Sequence, residues 1–427
     1  MAAATFPLPL PLRRPFITPH SRPHPHPSLS TPRRHRHRHR LHSSSSNDNN
    51  TTTLQLYRNM VRLLATTPSL SSTSSNWTQI EGAWVLKPPS ASPAGIVHFL
   101  GGIFVGAAPQ LTYRLFLQSL SRKANLLIVA TPFSSGFDHF AIADEAQFKF
   151  DRTLRVLNES ESKPVLDEVP VFGIGHSLGT VIHLLIGSRY AVRNAGNVMM
   201  AFNNREASEV IPLFSSVLVP MAQGLGPVID RFGSLRGVRA GAEMTMKGLE
   251  SMSPEIVKQV LPLVEQVSSL YVDVAKGREE FSPAPEETRR IVRSYYGITR
   301  NLLVKFEDDT LDETPRLAQI LSVESAVSSS LDMSIRTLPG DHVLPLRQAL
   351  PDVPPGVTDA VNRGGELLAN LTAGTPWESV ARDVGSTLGV ESRILGNQNF
   401  LKDLDNLVDV ICAWIASNNT GSKQLKP

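Results

Sequence analysis

One stretch limits the folds open to this chain more than any other. It is Val169–Ile174 (VPVFGI), followed by Gly175-His176-Ser177-Leu178-Gly179 and the largely apolar run TVIHLLIGSRY. Read locally, it is a buried strand, a tight turn and a helix, with a serine at the apex of the turn. The G-x-S-x-G pentapeptide is weak on its own, since such a spacing arises by chance in roughly one chain in seven of this length. Its flanks supply the meaning. A sharp strand-to-helix turn lifts the Ser177 hydroxyl above the sheet, and glycines on either side let the backbone close up. The helix N-terminus beneath favours developing negative charge. The bland alternative is a glycine-rich turn with an incidental serine.

The same rhythm runs through the rest of the chain. Gly95–Leu100 (GIVHFL), Asn125–Ala130 (NLLIVA), Val198–Phe202 (VMMAF), Asn301–Phe306 (NLLVKF) and Ser334–Leu338 (SIRTL) read as further strands. Leu111, Leu115 and Leu120 lie at helix-compatible spacing, and Ala143, Ala146, Phe150, Leu154 and Leu157 share one helical face. A helix around Phe400–Ile415 closes the pattern. Such alternation predicts an α/β fold, with a mostly parallel central sheet and helices on both faces. The rhythm breaks over residues 205–290, where apolar helical stretches occur without a strand-like run. That is how a helical cap inserted between core strands looks. The expected organisation is core in residues 76–204 and 291–427, ordered from Asn76–Trp77, with a mostly helical insertion at 353–395. Prolines, glycines and a Gln within Val210–Ile229 argue against a membrane span there. A lid helix with peripheral membrane contact is the expectation instead.

Charge matters here through its unevenness. Residues 1–47 hold eight Arg and no acid, leaving 34 basic against 39 acidic side chains in the remainder. A mildly acidic core argues against nucleic acid as a partner. The leader is rich in Pro, Ser, Arg and His, and its prolines cut FPLPLPL into pieces too short for a secretory signal. It reads as a plastid transit peptide, joined through a disordered linker at residues 48–75 and cleaved somewhere in 43–75. The HRHRHR tract has a metal-binding composition, but its alternation with Arg in a removable segment argues against a metal site. Cys412 is the only cysteine, so no intramolecular disulfide forms, and its place in LVDVICAWI predicts a buried structural thiol.

A serine nucleophile needs a base, and the base needs an orienting acid. In sheets with a nucleophile turn of this type the chain order is Ser, acid, His, each beyond the C-terminal end of a strand. After NLLVKF comes EDDTLDETP, offering Glu307, Asp308, Asp309, Asp312 and Glu313. Asp309 is the first choice, three residues past the strand, and Asp312 the second. Most of these carboxylates are expected simply to solvate a loop. After SIRTL comes PGDHVLP, which sets His342 in a Pro-Gly turn at the expected strand end. The other histidines beyond the leader, His98, His139, His176 and His183, carry no such signal. For the oxyanion, the amide of Leu178 is one expected donor. Leu100-Gly101-Gly102-Ile103-Phe104 resembles the HGGGF type of loop with Leu in place of His, making the Gly102 and Ile103 amides the others.

Taken in order, HFLGGIFVGAAPQLTYR, ATPFSSGFDH, GIGHSLG, KFEDDTLDET and LPGDHVLP resemble an uncharacterised family of plant and cyanobacterial α/β-hydrolase-like proteins, catalogued mainly as a domain of unknown function. The likeness spans about residues 76–345. It implies the α/β-hydrolase fold, a chloroplast location, and a superfamily triad on Ser177, Asp309 and His342. The resemblance supplies no substrate. The expected activity is hydrolysis of an ester or related acyl bond, or acyl transfer by the same residues, without metal or organic cofactor. An apolar cap points to a small-molecule or lipid-like acyl substrate. The rival expectation is a catalytically inactive binding or assembly protein of the chloroplast that keeps the fold alone. What separates the two is whether the His342 ring reaches the Ser177 hydroxyl.

Overall fold

The computed structural model describes residues 76–160, 166–211, 270, 273, 274, 276–346 and 392–419. Within them eight strands form one sheet: β1 (Trp77–Ile80), β2 (Ala83–Leu86), β3 (Gly95–Leu100), β4 (Leu126–Ala130), β5 (Val171–His176), β6 (Asn194–Met200), β7 (Arg300–Phe306) and β8 (Asp332–Leu338). Their spatial order is β1-β2-β4-β3-β5-β6-β7-β8. The pairs β1/β2 and β2/β4 are antiparallel, and the rest of the sheet is parallel. Central strands are apolar on both faces because both faces are covered. In β3 all six residues are buried, with Val97 and Phe99 facing one layer and Ile96 and Leu100 the other.

Helices α1 (Arg114–Ala124) and α6 (Ser392–Asn418) pack on the first face through Phe116, Leu117, Leu120, Leu407 and Ile411. Helices α2 (His139–Ser160), α3 (Leu178–Arg189), α4 (Pro285–Tyr295) and α5 (Thr314–Gln319) cover the opposite face. The stripe expected on α2 is buried at Ala143, Ala146, Phe150 and Leu157 and partly buried at Leu154. This strand order, with helices on both faces and a serine on the β5–α3 turn, is the α/β-hydrolase fold.

Several boundaries differ from expectation, each for a local reason. The β1–β2 hairpin has no counterpart in the sequence reading, because strands of four residues are too short to show a period. Its signal lay in the turn: Glu81 and Gly82 both take positive φ, 50° and 82°, as a two-residue primed turn requires. β4 starts at Leu126 because Asn125 ends α1 in the left-handed region at φ 52°. β5 starts at Val171, since Pro170 has no N–H for the ladder. β6 begins at Asn194, earlier than its apolar run. Buried Asn197 donates to Tyr296 Oη at 2.9 Å, and Tyr296 donates to Asn301 Oδ1 at 2.7 Å, so satisfied polar groups hide the start of that strand. Leu111 belongs to a separate turn, Pro109–Thr112, and the apolar face of α1 starts at Phe116.

Helix α4 crosses the boundary expected at residue 290 and packs on α3 as part of the core. Residues 1–75, 212–269 and 347–391 lie outside the described residues, so leader, linker, most of the expected cap and most of the second insertion do too. Of Val210–Ile229 only Val210 and Ile211 are described, and both are buried. Among the described residues no helix is long and apolar enough to cross a membrane. Cys412 on α6 is partly buried; burial, then the Asp409 carboxylate, push its thiol up to about 11, as suits an inert thiol.

The β5–α3 turn is built on backbone contact. A Cβ on Gly179 would stand 2.1 Å from the Leu100 carbonyl oxygen, and one on Gly175 2.7 Å from the Gly179 carbonyl. Backbone atoms cannot step aside as a side chain can, so one added methyl forces β3, β5 and α3 apart. Gly179→Ala should therefore destabilise the protein by about 3 kcal/mol or more. Chemical denaturation measures this, and a midpoint within experimental error of wild type would contradict it.

Candidate active site

Ser177 sits at the apex of the β5–α3 turn with φ 54° and ψ −120°, a strained backbone for a residue that carries a Cβ. Its amide remains in the sheet by donating to the Met200 carbonyl at 3.0 Å, so the strain is held rather than relaxed. Two further strand ends bring partners to it. After β7, a turn closed by the Asp309 amide on the Phe306 carbonyl (3.3 Å) projects the Asp309 carboxylate. After β8, Gly340 at φ 121° accepts from the Asp308 amide at 2.9 Å, which ties the His342 turn to the Asp309 turn.

The result is a hydrogen-bonded line. His342 Nδ1 lies 2.8 Å from Asp309 Oδ2, and His342 Nε2 lies 3.0 Å from Ser177 Oγ. All three residues are buried. A carboxylate only accepts, so Nδ1 carries the proton and Nε2 is the acceptor facing the Ser177 hydroxyl. Burial alone would raise the Asp309 carboxyl. The His342 hydrogen bond and electrostatic attraction, with the Leu311 amide at 2.9 Å, outweigh it and hold Asp309 below the usual carboxylate value.

The remaining candidate carboxylates do other work. Asp312 accepts from the Thr314 amide (3.0 Å) and hydroxyl (2.7 Å) at the start of α5, and burial raises it to about 6. Glu313 receives the Asn204 amide at 2.7 Å, clamping the loop after β6. Glu307 and Asp308 are exposed.

The oxyanion side needs a correction. Gly102 lies against Ser177, where an added Cβ would meet Ser177 Cβ at 3.3 Å, but its amide donates to Tyr113 Oη at 2.8 Å. Gly102 is therefore a spacer rather than a donor. Leu178, first residue of α3, and Ile103 line the pocket beside Ser177 and are the remaining expected donors. Phe104 at φ 61° holds this loop in its turn, its amide donating to Ser135 Oγ at 2.8 Å.

Three participants were missed in the sequence. Tyr113 Oη is 2.8 Å from His176 Nδ1, and His176 Nε2 is 2.8 Å from the His342 carbonyl. A carbonyl only accepts, so His176 carries its proton on Nε2, and Tyr113 donates to Nδ1 while accepting from Gly102. Burial, then the neighbouring His342, lower His176 to about 3, and burial pushes the Tyr113 hydroxyl above the usual phenol range. The third is Asn203, just past β6, whose Nδ2 lies 3.2 Å from Ser177 Oγ and 3.4 Å from the Ala201 carbonyl. Because that carbonyl is an acceptor and the Ser177 proton points to His342, the Asn203 amide donates to Ser177. A signal for it existed: two adjacent asparagines directly after a buried strand.

The family described as "Protein of unknown function (DUF1350)" matches residues 76–353. No curated protein matches the chain in sequence. Among solved structures, the chain is similar to a hydrolase from Pseudomonas aeruginosa at 12% identity and a TM-score of 0.35, covering 68% of this chain and 99% of that one. It is similar to a carboxyl esterase from Bacillus coagulans at 13% identity and a TM-score of 0.34, over 62% and 89% of the two chains. For a haloalkane dehalogenase from Bradyrhizobium elkani the values are 14%, 0.37, 70% and 98%.

Two outcomes follow from the buried polar groups. Tyr113→Phe leaves the Gly102 amide and His176 Nδ1 without partners, which should cost about 1–3 kcal/mol in a denaturant titration; no loss would mean the link bears no load. The second concerns pH. Burial lowers His98, His139, His176 and His183, the last three to about 4, 3 and 4. Between about 6.5, the unfolded value, and those folded values, the unfolded chain binds protons that the folded chain refuses. Stability is thus fully present above pH ~6.5 and falls towards pH ~4, by up to about 1.4 kcal/mol per histidine per pH unit. Asp312, raised when folded, offsets one of the four. A denaturation midpoint that stays flat from pH ~7 to ~5 would refute this.

Proposed function

Since the chain belongs to the DUF1350 family, whose description assigns no activity, we propose from its own residues that it is a serine hydrolase of esters or related acyl bonds. The observation that carries this reading is the line Ser177–His342–Asp309, with contacts of 3.0 and 2.8 Å. A scaffold that kept only the fold has no use for a serine strained to φ 54° and backed by a buried Asp–His pair.

In this mechanism Ser177 Oγ attacks the carbonyl carbon while its proton passes to His342 Nε2, and Asp309 steadies the imidazolium. The carbonyl π pair moves onto oxygen, where the Leu178 and Ile103 amides receive it. The oxyanion collapses, the bond to the leaving group breaks, and His342 returns the proton to that group. Water then attacks the acyl-enzyme, giving a proton to His342, and the carboxylic acid leaves as Ser177 is restored. The apolar side chains of Ile103, Leu178, Val181, Val210, Phe281 and Leu311 beside Ser177 support a hydrophobic acyl group by their chemistry, around a cavity of about 20 Å³ that has room for about one water. The acid-free leader supports a plastid as the place of action.

Labelling with a fluorophosphonate tests the reading. Wild type should react, Ser177→Ala should not, and His342→Ala should react about 10³-fold or more slowly. A folded wild type that stays unlabelled, with and without detergent, would sink the proposal.

A further inference from the structure

Two polar groups on the wall of the Ser177 pocket have no part in the acyl chemistry. His139 opens α2 directly after the β4 loop and lines the pocket. It is only 3% exposed, and among the described residues neither ring nitrogen has a hydrogen-bond partner. Its ring lies on Phe281, centroids 4.3 Å apart. Phenylalanine would stack there equally well without two unmet polar atoms, so packing alone does not explain a histidine. Arg205 lines the same pocket. One terminal nitrogen reaches Glu209 at 3.4 Å, while its buried Nε has no partner among the described residues.

The chemistry of these groups narrows what they suit. Burial keeps the His139 ring neutral, its value lowered to about 4 despite the opposing Asp138 charge. A neutral imidazole offers one donor and one acceptor, which matches a hydroxyl. Arg205 Nε–H is a donor and matches an oxygen lone pair. A carboxylate fits less well, because the histidine is uncharged and Glu209 already faces the guanidinium. An unsubstituted hydrocarbon chain would fill the apolar lining and leave all of these groups unmet.

We propose that His139 and Arg205 Nε form a polar subsite for an oxygen function, a hydroxyl or keto group, on the acyl chain of the substrate. The enzyme then prefers oxygenated acyl esters to plain ones of equal length. This rests on the hydrolase reading above and deepens it. A site built to hydrogen-bond an oxygen discriminates strongly against the analogue that lacks it.

The test compares p-nitrophenyl octanoate with esters of the same length whose hydroxyl or keto group is walked along the chain. Wild type should favour its best oxygenated ester in kcat/KM by about tenfold or more. In His139→Phe, which keeps the stack on Phe281, the ratio should fall to about one through loss on the oxygenated ester. Its melting midpoint should stand at or above that of wild type, since unmet buried nitrogens are removed. Arg205→Lys, which keeps the charge but removes Nε–H, serves if the first variant fails to fold, and should lower the same ratio. A wild type without preference at any position, or a preference that survives the substitution tested, overturns the subsite. Fluorophosphonate labelling of the same wild-type sample separates the two ideas: a labelled enzyme without preference loses only the subsite, and an unlabelled one loses both.

Discussion

The contact of Gly179 and Gly175 with the backbone of β3 and α3 sets what the rest of the site can be. With Cβ distances of 2.1 Å to Leu100 O and 2.7 Å to Gly179 C, three backbones meet where ordinary side chains would hold them apart. That closeness leaves Ser177 no relaxed conformation, and the sheet hydrogen bond from its amide to Met200 keeps it at φ 54°. The same closeness brings the Leu100–Phe104 loop against the serine. The strained serine and the loop set against it are thus two consequences of one steric choice.

Hydrogen bonds carry this geometry outward. From Gly102 through Tyr113 and His176 to the His342 carbonyl runs a buried line of contacts, each 2.8 Å. It joins the loop after β3 to the loop after β8, which lie four strands apart in sheet order. The proton direction is determined at each step by the carbonyl at its end, so the line has one arrangement and not two. The Leu100–Phe104 loop and the loop that carries His342 are therefore positioned by the same chain of atoms, next to Ser177. Engagement of the Gly102 amide follows from this: it anchors the loop and so cannot also serve the substrate.

Much of this was legible in the sequence, and the exceptions share a cause. Six of the eight strands were readable, five as the apolar runs of buried strands and β8, a mostly exposed edge strand, through the short run SIRTL, whereas Trp77–Ile80 and Ala83–Leu86 are short and recognisable only by their Glu81-Gly82 turn. Ser177, His342 and Asp309 could be singled out since strand ends and chain order restrict where such residues fall. Tyr113 and the engagement of Gly102 could not, because they depend on which side chains meet across 11 to 63 residues of chain, and for Asn203 the adjacent asparagines marked a position but not its partner 26 residues away. No spacing rule encodes such meetings. His176 stood inside the motif itself and still gave no sign of its role, because the position before the serine is free in the pattern. His139 was likewise one histidine among several until its burial was known.

The histidines around Ser177 differ in what their surroundings leave each ring to do. Neither His176 nor His139 hydrogen-bonds a carboxylate among the described residues, and burial outweighs the nearby Asp309 and Asp138 charges to lower them to about 3 and 4, so both stay neutral at physiological pH. His342 alone is backed by a buried carboxylate, through which its Nδ1 proton is fixed and its Nε2 left to the serine. Three imidazoles thus have three settings: one between a serine and a carboxylate, one a structural link and one a neutral wall of the pocket. The last is the most expensive to the fold, since its nitrogens are desolvated with no hydrogen-bond partner among the described residues. A buried group that weakens the folded state without helping the chemistry directly is where binding specificity would be stored, because the missing partner is then the substrate's to provide.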